Sequence, residues 1–346
     1  MVSRSRIISG LDFYFLNGYF QISIDLEIYL CDESPIIMKT SICILTYNRC
    51  ESISALLKSI YHLLDDNTEI IVVDNHSSDD TPNSIPSKFP NISYLRTDKN
   101  VGASGRNVAF SHASGEIVIC LDDDVFGLTS EMISSLGDKF RNNPNIGAIN
   151  FKVLNAFTGD ICNWVHHCLP EKYSEKEILT YELTEGAVAF KKEVLDKSGY
   201  YDDMYFISHE GPDLAFRIMC AGYDCIYWPD VVVKHRHENT GRVSWLNYYY
   251  DTRNHIYITV KNFPFWYGVV YLFVGLSSMF VYSIRDGFFG YWLKAVFDGL
   301  VKLPNIWSKR SVLPDHVMGK IRTIDQNKAP LIYKIKSRLF KKGARL

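Results

Sequence analysis

The chain has 346 residues, 47% of them hydrophobic and 22% charged, with 21 Gly, 12 Pro and a formal net charge of −2. That composition excludes a disordered, collagenous or low-complexity protein and leaves ample apolar material for a full core. The charge is uneven: residues 301–346 carry twelve Lys/Arg against Asp315 and Asp325, so a tail of about +10 follows a body of about −12. A basic tail on an acidic body points to a membrane surface or a polyanion and says nothing about fold; an anionic membrane surface is the expected partner and no nucleic acid is.

Eight cysteines (31, 43, 50, 120, 162, 168, 220 and 225) show no CxxC spacing. They read as reduced, mostly buried thiols of a cytosolic protein. Asp12 interrupts the N-terminal apolar stretch, so no signal-peptide layout is present.

In chain order, residues 13–30 predict a β-hairpin. Phe20, Ile22, Ile24, Leu26, Ile28 and Leu30 alternate with polar neighbours, and Asn17-Gly18 supplies a turn. Its apolar face suits a strand added to the edge of the main sheet. Met38-Lys39-Thr40 also reads as an internal start, which would make the segment dispensable.

From residue 40 the pattern becomes strand–helix alternation. Ser41–Thr46, Glu69–Asp74, Ile92–Arg96 and Glu116–Leu121 are short apolar strands. Ile53, Leu56, Leu57, Ile60 and Leu64, then Met132, Leu136 and Phe140, recur at helical spacing. Unalternating apolar strands between helices predict a parallel sheet covered on both faces, whose ligands bind beyond the carboxyl ends of the strands.

Those ends carry the polar motifs: Thr46-Tyr47-Asn48-Arg49, then Asp74-Asn75-His76-Ser77-Ser78-Asp79, then Asn100-Val101-Gly102 with Gly105-Arg106-Asn107, then Asp122-Asp123-Asp124. None matches a P-loop or a GxGxxG site. Three adjacent carboxylates at a strand mouth repel one another unless a cation compensates, and hard oxygen ligands suit Mg²⁺ or Mn²⁺. An Asp-rich turn or cap is the alternative for the triplet alone.

Together these motifs resemble the nucleotide-binding half of family 2 glycosyltransferases with the GT-A fold, in particular rhamnosyltransferase-like members. The resemblance implies an α/β, Rossmann-like, mostly parallel sheet flanked by helices over 39–255, split into a nucleotide-binding half (39–125) and an acceptor half (126–255). An N-terminal hairpin (1–38) and a helical, basic C-terminal region (256–346) would flank it. Carried over by position, Thr46, Tyr47, Asn48, Arg49, Asp74 and Asn75 would face the nucleoside, and Asn100, Gly102 and Arg106 the base and diphosphate. Asp122 and Asp124 would hold the metal, with Asp123 facing ribose or sugar.

Further on, Thr184-Glu185-Gly186-Ala187 resembles the family's acceptor-side strand, with Glu185 and Gly186 on the acceptor side. In His209-Glu210-Gly211-Pro212-Asp213-Leu214, Glu210 and Asp213 match the outer acids of the family's Glu-Asp-x-Asp run, while Gly211 replaces the middle Asp. Glu210 is the expected general base and Asp213 the second candidate, or a cap of the following helix. His235, after Val231-Val232-Val233, matches a metal ligand of the family, with His237 in reserve. Tyr248-Tyr249-Tyr250-Asp251-Thr252-Arg253-Asn254 resembles a helix whose Tyr249 and Arg253 line the acceptor side; plain amphipathic packing is the alternative.

Phe263–Ser283 holds 21 residues without a charge, but Pro264, Gly268 and Gly275 weaken a plain spanning helix. A single crossing would also put the basic tail outside, against the positive-inside tendency. In-plane or re-entrant association with an anionic inner face is expected, ahead of a homodimer interface or a true span. The expected activity is inverting, metal-dependent transfer of a hexose or deoxyhexose from a nucleoside-diphosphate sugar to a glycan or lipid-linked glycan in surface-polysaccharide synthesis. A non-catalytic sugar-nucleotide-binding scaffold and a nucleotidylyltransferase are the alternatives.

Overall fold

In the computed structural model of the chain, residues 8–16, 19–27, 38–236, 245–330 and 333 are described, the first two stretches by backbone alone. They fall in two units, Met1–Ile37 and Met38–Leu346. In the first, β1 (Ile8–Leu16) pairs antiparallel with β2 (Tyr19–Glu27), from Ile8 opposite Glu27 to Leu16 opposite Tyr19. The hairpin therefore starts earlier than residue 13, with Asp12 in register opposite Ser23. These strands make a sheet of their own rather than an edge strand of the larger one. The expected turn at Asn17-Gly18, and Ile28 and Leu30, lie outside the described residues.

The second unit is built on a nine-stranded sheet. Its first half contains β3 (Thr40–Thr46), β4 (Thr68–Asp74), β5 (Ser93–Arg96) and β6 (Ile117–Asp122), all parallel in the order β5-β4-β3-β6. Between them run α1 (Cys50–Ile60), α2 (Thr81–Lys88) and α3 (Arg106–His112). β3, β4 and β6 are buried on both faces, and β5 forms the more exposed edge. Ile42, Ile44, Ile70, Val72, Ile117 and Ile119 join one core cluster, and Cys43, Ile71, Val73, Val118 and Cys120 the other. Alternate side chains of a strand point to opposite faces, so the two cores are one sequence pattern read with period two.

The second half is mixed. It comprises β7 (Val125–Phe126), α4 (Ser130–Asn142), β8 (Ile146–Asn155), the short α5 (Pro170–Tyr173), β9 (Ile178–Leu179) and β10 (Ala187–Lys191). They are followed by α6 (Lys192–Ser198), α7 (Glu210–Cys220) and β11 (Asp224–His235). β10 lies between β6 and β8 and is antiparallel to both, with Ala187 opposite Leu121. This reversal brings Glu185-Gly186, at the start of β10, beside Asp122, at the end of β6. β11 runs parallel to β8, slips register between Trp228 and Val232, and ends with His235 opposite Val125 of β7.

Among the described residues, five helices follow: α8 (Trp245–Asn262), α9 (Phe265–Asp286), α10 (Phe289–Val301), α11 (Leu303–Ser308) and α12 (Asp315–Asp325). α8 is buried along most of its length and packs against α9 and α10. α9 runs unbroken through Gly268 and Gly275, which serve as contact points rather than as breaks. A Cβ on Gly275 would lie 2.0 Å from Nε2 of His255 on α8.

Candidate active site

The acidic triplet closes β6. Asp123 accepts hydrogen bonds from Thr46 Oγ1 (2.7 Å) and Arg49 Nη1 (2.7 Å). Asp124 accepts from Arg49 Nη2 (2.7 Å) and pairs with His235 Nε2 (2.8 Å), and Asp122 pairs with Arg106 Nη2 (2.5 Å). Strand ends therefore bring Thr46, Arg49, Arg106 and His235 to the three carboxylates, as the motif order implied. Ligand atoms of Asp122, Asp124 and His235 all lie within 4.8 Å of one another. Two carboxylates and an imidazole at that spacing fit Mn²⁺ or Mg²⁺. Burial disfavours a charged His235, yet the bonds to Asp124 and Cys162 and the charges of Asp124 and Asp122 together outweigh it and lift the ring to about 9. Burial also works against the Asp124 carboxylate, and the bonds from His235 and Arg49 hold it below the usual range all the same. His237 lies outside the described residues.

The loops around the triplet are braced from within. Asp74 is fully buried: its Oδ1 accepts from the Ser77 amide (2.8 Å) and its Oδ2 from the Tyr94 hydroxyl (2.9 Å). It shapes the loop after β4 and is not open to a nucleoside, which corrects the expectation of direct contact. Asn75 likewise spends its amide on Asn100 Oδ1, the Gly102 carbonyl and the Val101 amide, each at 3.0 Å. Asn48, at φ 53°, receives the Ser78 amide at 2.7 Å, while the Tyr47 ring is 44% exposed. Gly102, at φ 69°, abuts the loop before α7, where the Ala103 amide donates to the Phe206 carbonyl at 2.8 Å. A Cβ at 102 would lie 1.9 Å from that carbonyl oxygen.

Across the Asp122–Gly186 contact stand two carboxyl groups. A Cβ on Gly186 would meet Asp122 Oδ2 at 2.2 Å, and one on Gly211 would meet Glu185 Oε1 at 2.4 Å. Glu210, the first residue of α7, is 3% exposed, and its Oε2 is buried without a hydrogen-bond partner. Burial, reinforced by the Glu185 carboxyl, raises Glu210 well above the carboxylate range; burial lifts Glu185 to about 7 while Arg106 pulls it down. Asp213 differs. It is fully buried and accepts from Arg217 Nε (3.1 Å), Lys261 Nζ (2.9 Å) and Asn262 Nδ2 (3.0 Å). It sits inside the first turn of α7 rather than capping it, and no acceptor hydroxyl can reach it. Both expectations for Asp213 are thereby corrected.

Residues 41–197 match the glycosyl transferase family 2 model. Residues 41–197 form a glycosyl transferase family 2 domain. Relatives of that domain include the O-antigen chain rhamnosyltransferase RfbN of Salmonella typhimurium, 26% identical over 61% of this chain and 71% of that protein. Another is the UDP-Glc:alpha-D-GlcNAc-diphosphoundecaprenol beta-1,3-glucosyltransferase WfgD of Escherichia coli, 29% identical over 33% of this chain and 46% of that protein. Matches span from 36% to 90% of the length of the first relatives found. Residues 1–349 of Staphylococcus aureus TarS share the fold at TM-score 0.52 and 18% identity, covering 79% of this chain and 83% of that one. GalNAc-T7, solved with UDP, GalNAc and Mn²⁺, shares it at TM-score 0.51 and 16% identity, over 65% and 51%. The family 2 domain thus has the GT-A fold.

Beyond the matched residues, α8 braces the loop before α7. Asn254 Nδ2 donates to the carbonyls of Ile207 (2.7 Å) and Ser208 (2.8 Å), and Ser208 and His209 both hold φ above 65°. Arg253 is buried against the rings of Tyr249, Tyr250 and Tyr257 and donates to the Met204 carbonyl. The Tyr249 hydroxyl is taken by Asp298 on α10 at 2.5 Å. Tyr249 and Arg253 are therefore engaged with their neighbours on α8 and α10 and with the loop before α7. Lys261 was missed because it acts through partners distant in sequence, Asp202 and Asp213. Asn163, which contacts His235 Nδ1 at 3.0 Å, carried no motif at all.

Proposed function

We propose that the chain transfers a hexose or deoxyhexose from a nucleoside-diphosphate sugar to a hydroxyl of a glycan or lipid-linked glycan, with inversion, in surface-polysaccharide synthesis. The observation that carries this reading is the juxtaposition across Gly186: a three-ligand cation site on one side and the Glu185–Glu210 carboxyl pair on the other. RfbN and WfgD, by their names, build bacterial glycans, and GalNAc-T7 holds UDP and Mn²⁺ on the same fold.

The Asp122, Asp124 and His235 side chains would hold Mn²⁺ or Mg²⁺, which supplies positive charge for the diphosphate oxygens of the donor. The chain's own residues do the rest. The exposed Tyr47 ring offers a face for the base, and the Asn75–Asn100 brace fixes the loop beside it. Arg106 and Arg49 are cations already aimed at the site, and Asp123 stays anchored by Thr46. The carboxyl pair takes the proton of the acceptor hydroxyl as its oxygen attacks the anomeric carbon from the face opposite the diphosphate. One displacement inverts that carbon. The scaffold alternative was motivated by Gly211, and a carboxyl group fills the space that glycine leaves.

Attachment to the inner face of the cell membrane is part of this reading. α9 is long and apolar enough to cross a membrane, and 28% of its most apolar window is buried. With Phe273 72% and Phe297 66% exposed on α9 and α10, in-plane association accounts for the pattern without a crossing. The test is nucleotide release from UDP-glucose, dTDP-rhamnose and GDP-mannose, with Mn²⁺ and without. Release of one nucleotide that depends on the cation is expected; no release from any of the three overturns the reading.

A further inference from the structure

We propose that Glu185 is the general base of this site, its carboxyl group standing where a side chain on residue 211 would otherwise stand. The inference rests on the transferase reading above and deepens it.

Three observations carry it. A Cβ on Gly211 would lie 2.4 Å from Glu185 Oε1 and 3.3 Å from Glu185 Cδ, so the space beside that α-carbon already holds a carboxyl group delivered from the neighbouring strand. Glu185 also immediately precedes Gly186, whose α-carbon backs onto the Asp122 carboxylate, and the Asp122 amide donates to the Gly186 carbonyl at 3.1 Å. The base is thereby one residue from the cation side of the cleft. Finally, access separates the two glutamates: Glu185 is half-buried, whereas Glu210 is 3% exposed with its Oε2 enclosed. A base must come within hydrogen-bond reach of the proton it takes, and an enclosed carboxyl cannot.

The step balances without a further reagent. The acceptor hydroxyl gives its proton to the Glu185 carboxylate while its oxygen forms the bond to the anomeric carbon. The bond from that carbon to the diphosphate oxygen breaks, and its electron pair leaves with the nucleoside diphosphate.

The experiment uses the full chain and reads nucleotide release from the three donors named above with Mn²⁺, alongside UDP, dTDP and GDP affinity by calorimetry. Glu185→Gln should lower turnover by about 100-fold or more while nucleotide affinity stays within about twofold. Gly211→Asp alone drives a second carboxyl into Glu185 and should be inactive. The double variant Glu185→Ala, Gly211→Asp moves the base to position 211 and should recover at least a tenth of wild-type turnover, which a merely structural Glu185 would not allow. Normal turnover in Glu185→Gln, or a double variant that binds nucleotide and stays inactive, overturns the assignment. A wild-type chain that releases no nucleotide overturns the transferase reading instead.

Discussion

Asp124 is the residue on which the cation site turns, since it alone touches both His235 and Arg49. Asp124→Asn removes a ligand charge and should abolish the Mn²⁺ dependence of nucleotide binding; calorimetry showing an unchanged Mn²⁺ effect would remove Asp124 from the site. His235 adds a pH dependence of known sign. Its pKa is raised to about 9, so near neutrality the ring is protonated, and a ligating nitrogen must give that proton up. Mn²⁺ affinity should therefore tighten by about tenfold per pH unit between 7 and 8 and level off above about 9. Proton release, measured as heat in buffers of different ionisation enthalpy, should approach one per ion at pH 7 and vanish in His235→Ala. At this scale the side chains that gather around the acidic triplet were legible in the sequence. Thr46, Arg49, Arg106, Asp122, Asp124 and His235 each end or follow a strand, and a parallel sheet gathers such positions at one edge. Asp74 shows the limit: an acid in a turn reads alike whether it faces a ligand or its own backbone, and burial alone decides.

α7 and α8 form the element-scale unit. Asp213 gathers Arg217 from its own helix with Lys261 and Asn262 from α8, and Lys261 also pairs with Asp202 at 2.8 Å. Asp213→Ala leaves buried donors without their acceptor and should destabilise the chain by about 3 kcal/mol. Urea unfolding measures this; an unchanged midpoint would return Asp213 to the list of free carboxylates. The helical periodicity of both segments was readable from apolar spacing, and so were the four leading strands, to within a residue. The direction of β10 was not. Four apolar residues and a lysine form a parallel or an antiparallel strand equally well, and the neighbours that fix the choice, β6 and β8, are distant in sequence. That one reversal sets Glu185 beside Asp122, so the departure at Gly211 looked like a lost acid until the sheet was known.

The whole molecule pairs a buried polar cleft with an apolar outer layer. Trp266 is 79% exposed on α9 and Trp307 64% on α11, values unusual for side chains that remain in water. Vesicles of anionic lipid should sediment the full chain, and Trp266→Glu with Phe273→Glu should weaken that binding at least tenfold without changing nucleotide release. Equal sedimentation of variant and parent would leave the layer without a membrane role. Hydropathy marked this region, but glycine spacing misled: Gly268 and Gly275 read as helix weaknesses, and they mark where α9 lies closest to α8. Of the basic tail, residues 334–346 lie outside the described residues.

The seam at Gly102 has a consequence for how the cleft tolerates change. Any side chain there strikes the Phe206 carbonyl, and the adjacent Ala103 amide is the hydrogen bond that ties the two loops. A lesion in one loop is at once a lesion in the other, so the two cannot be redesigned independently, and any change to either has to be engineered without widening that joint.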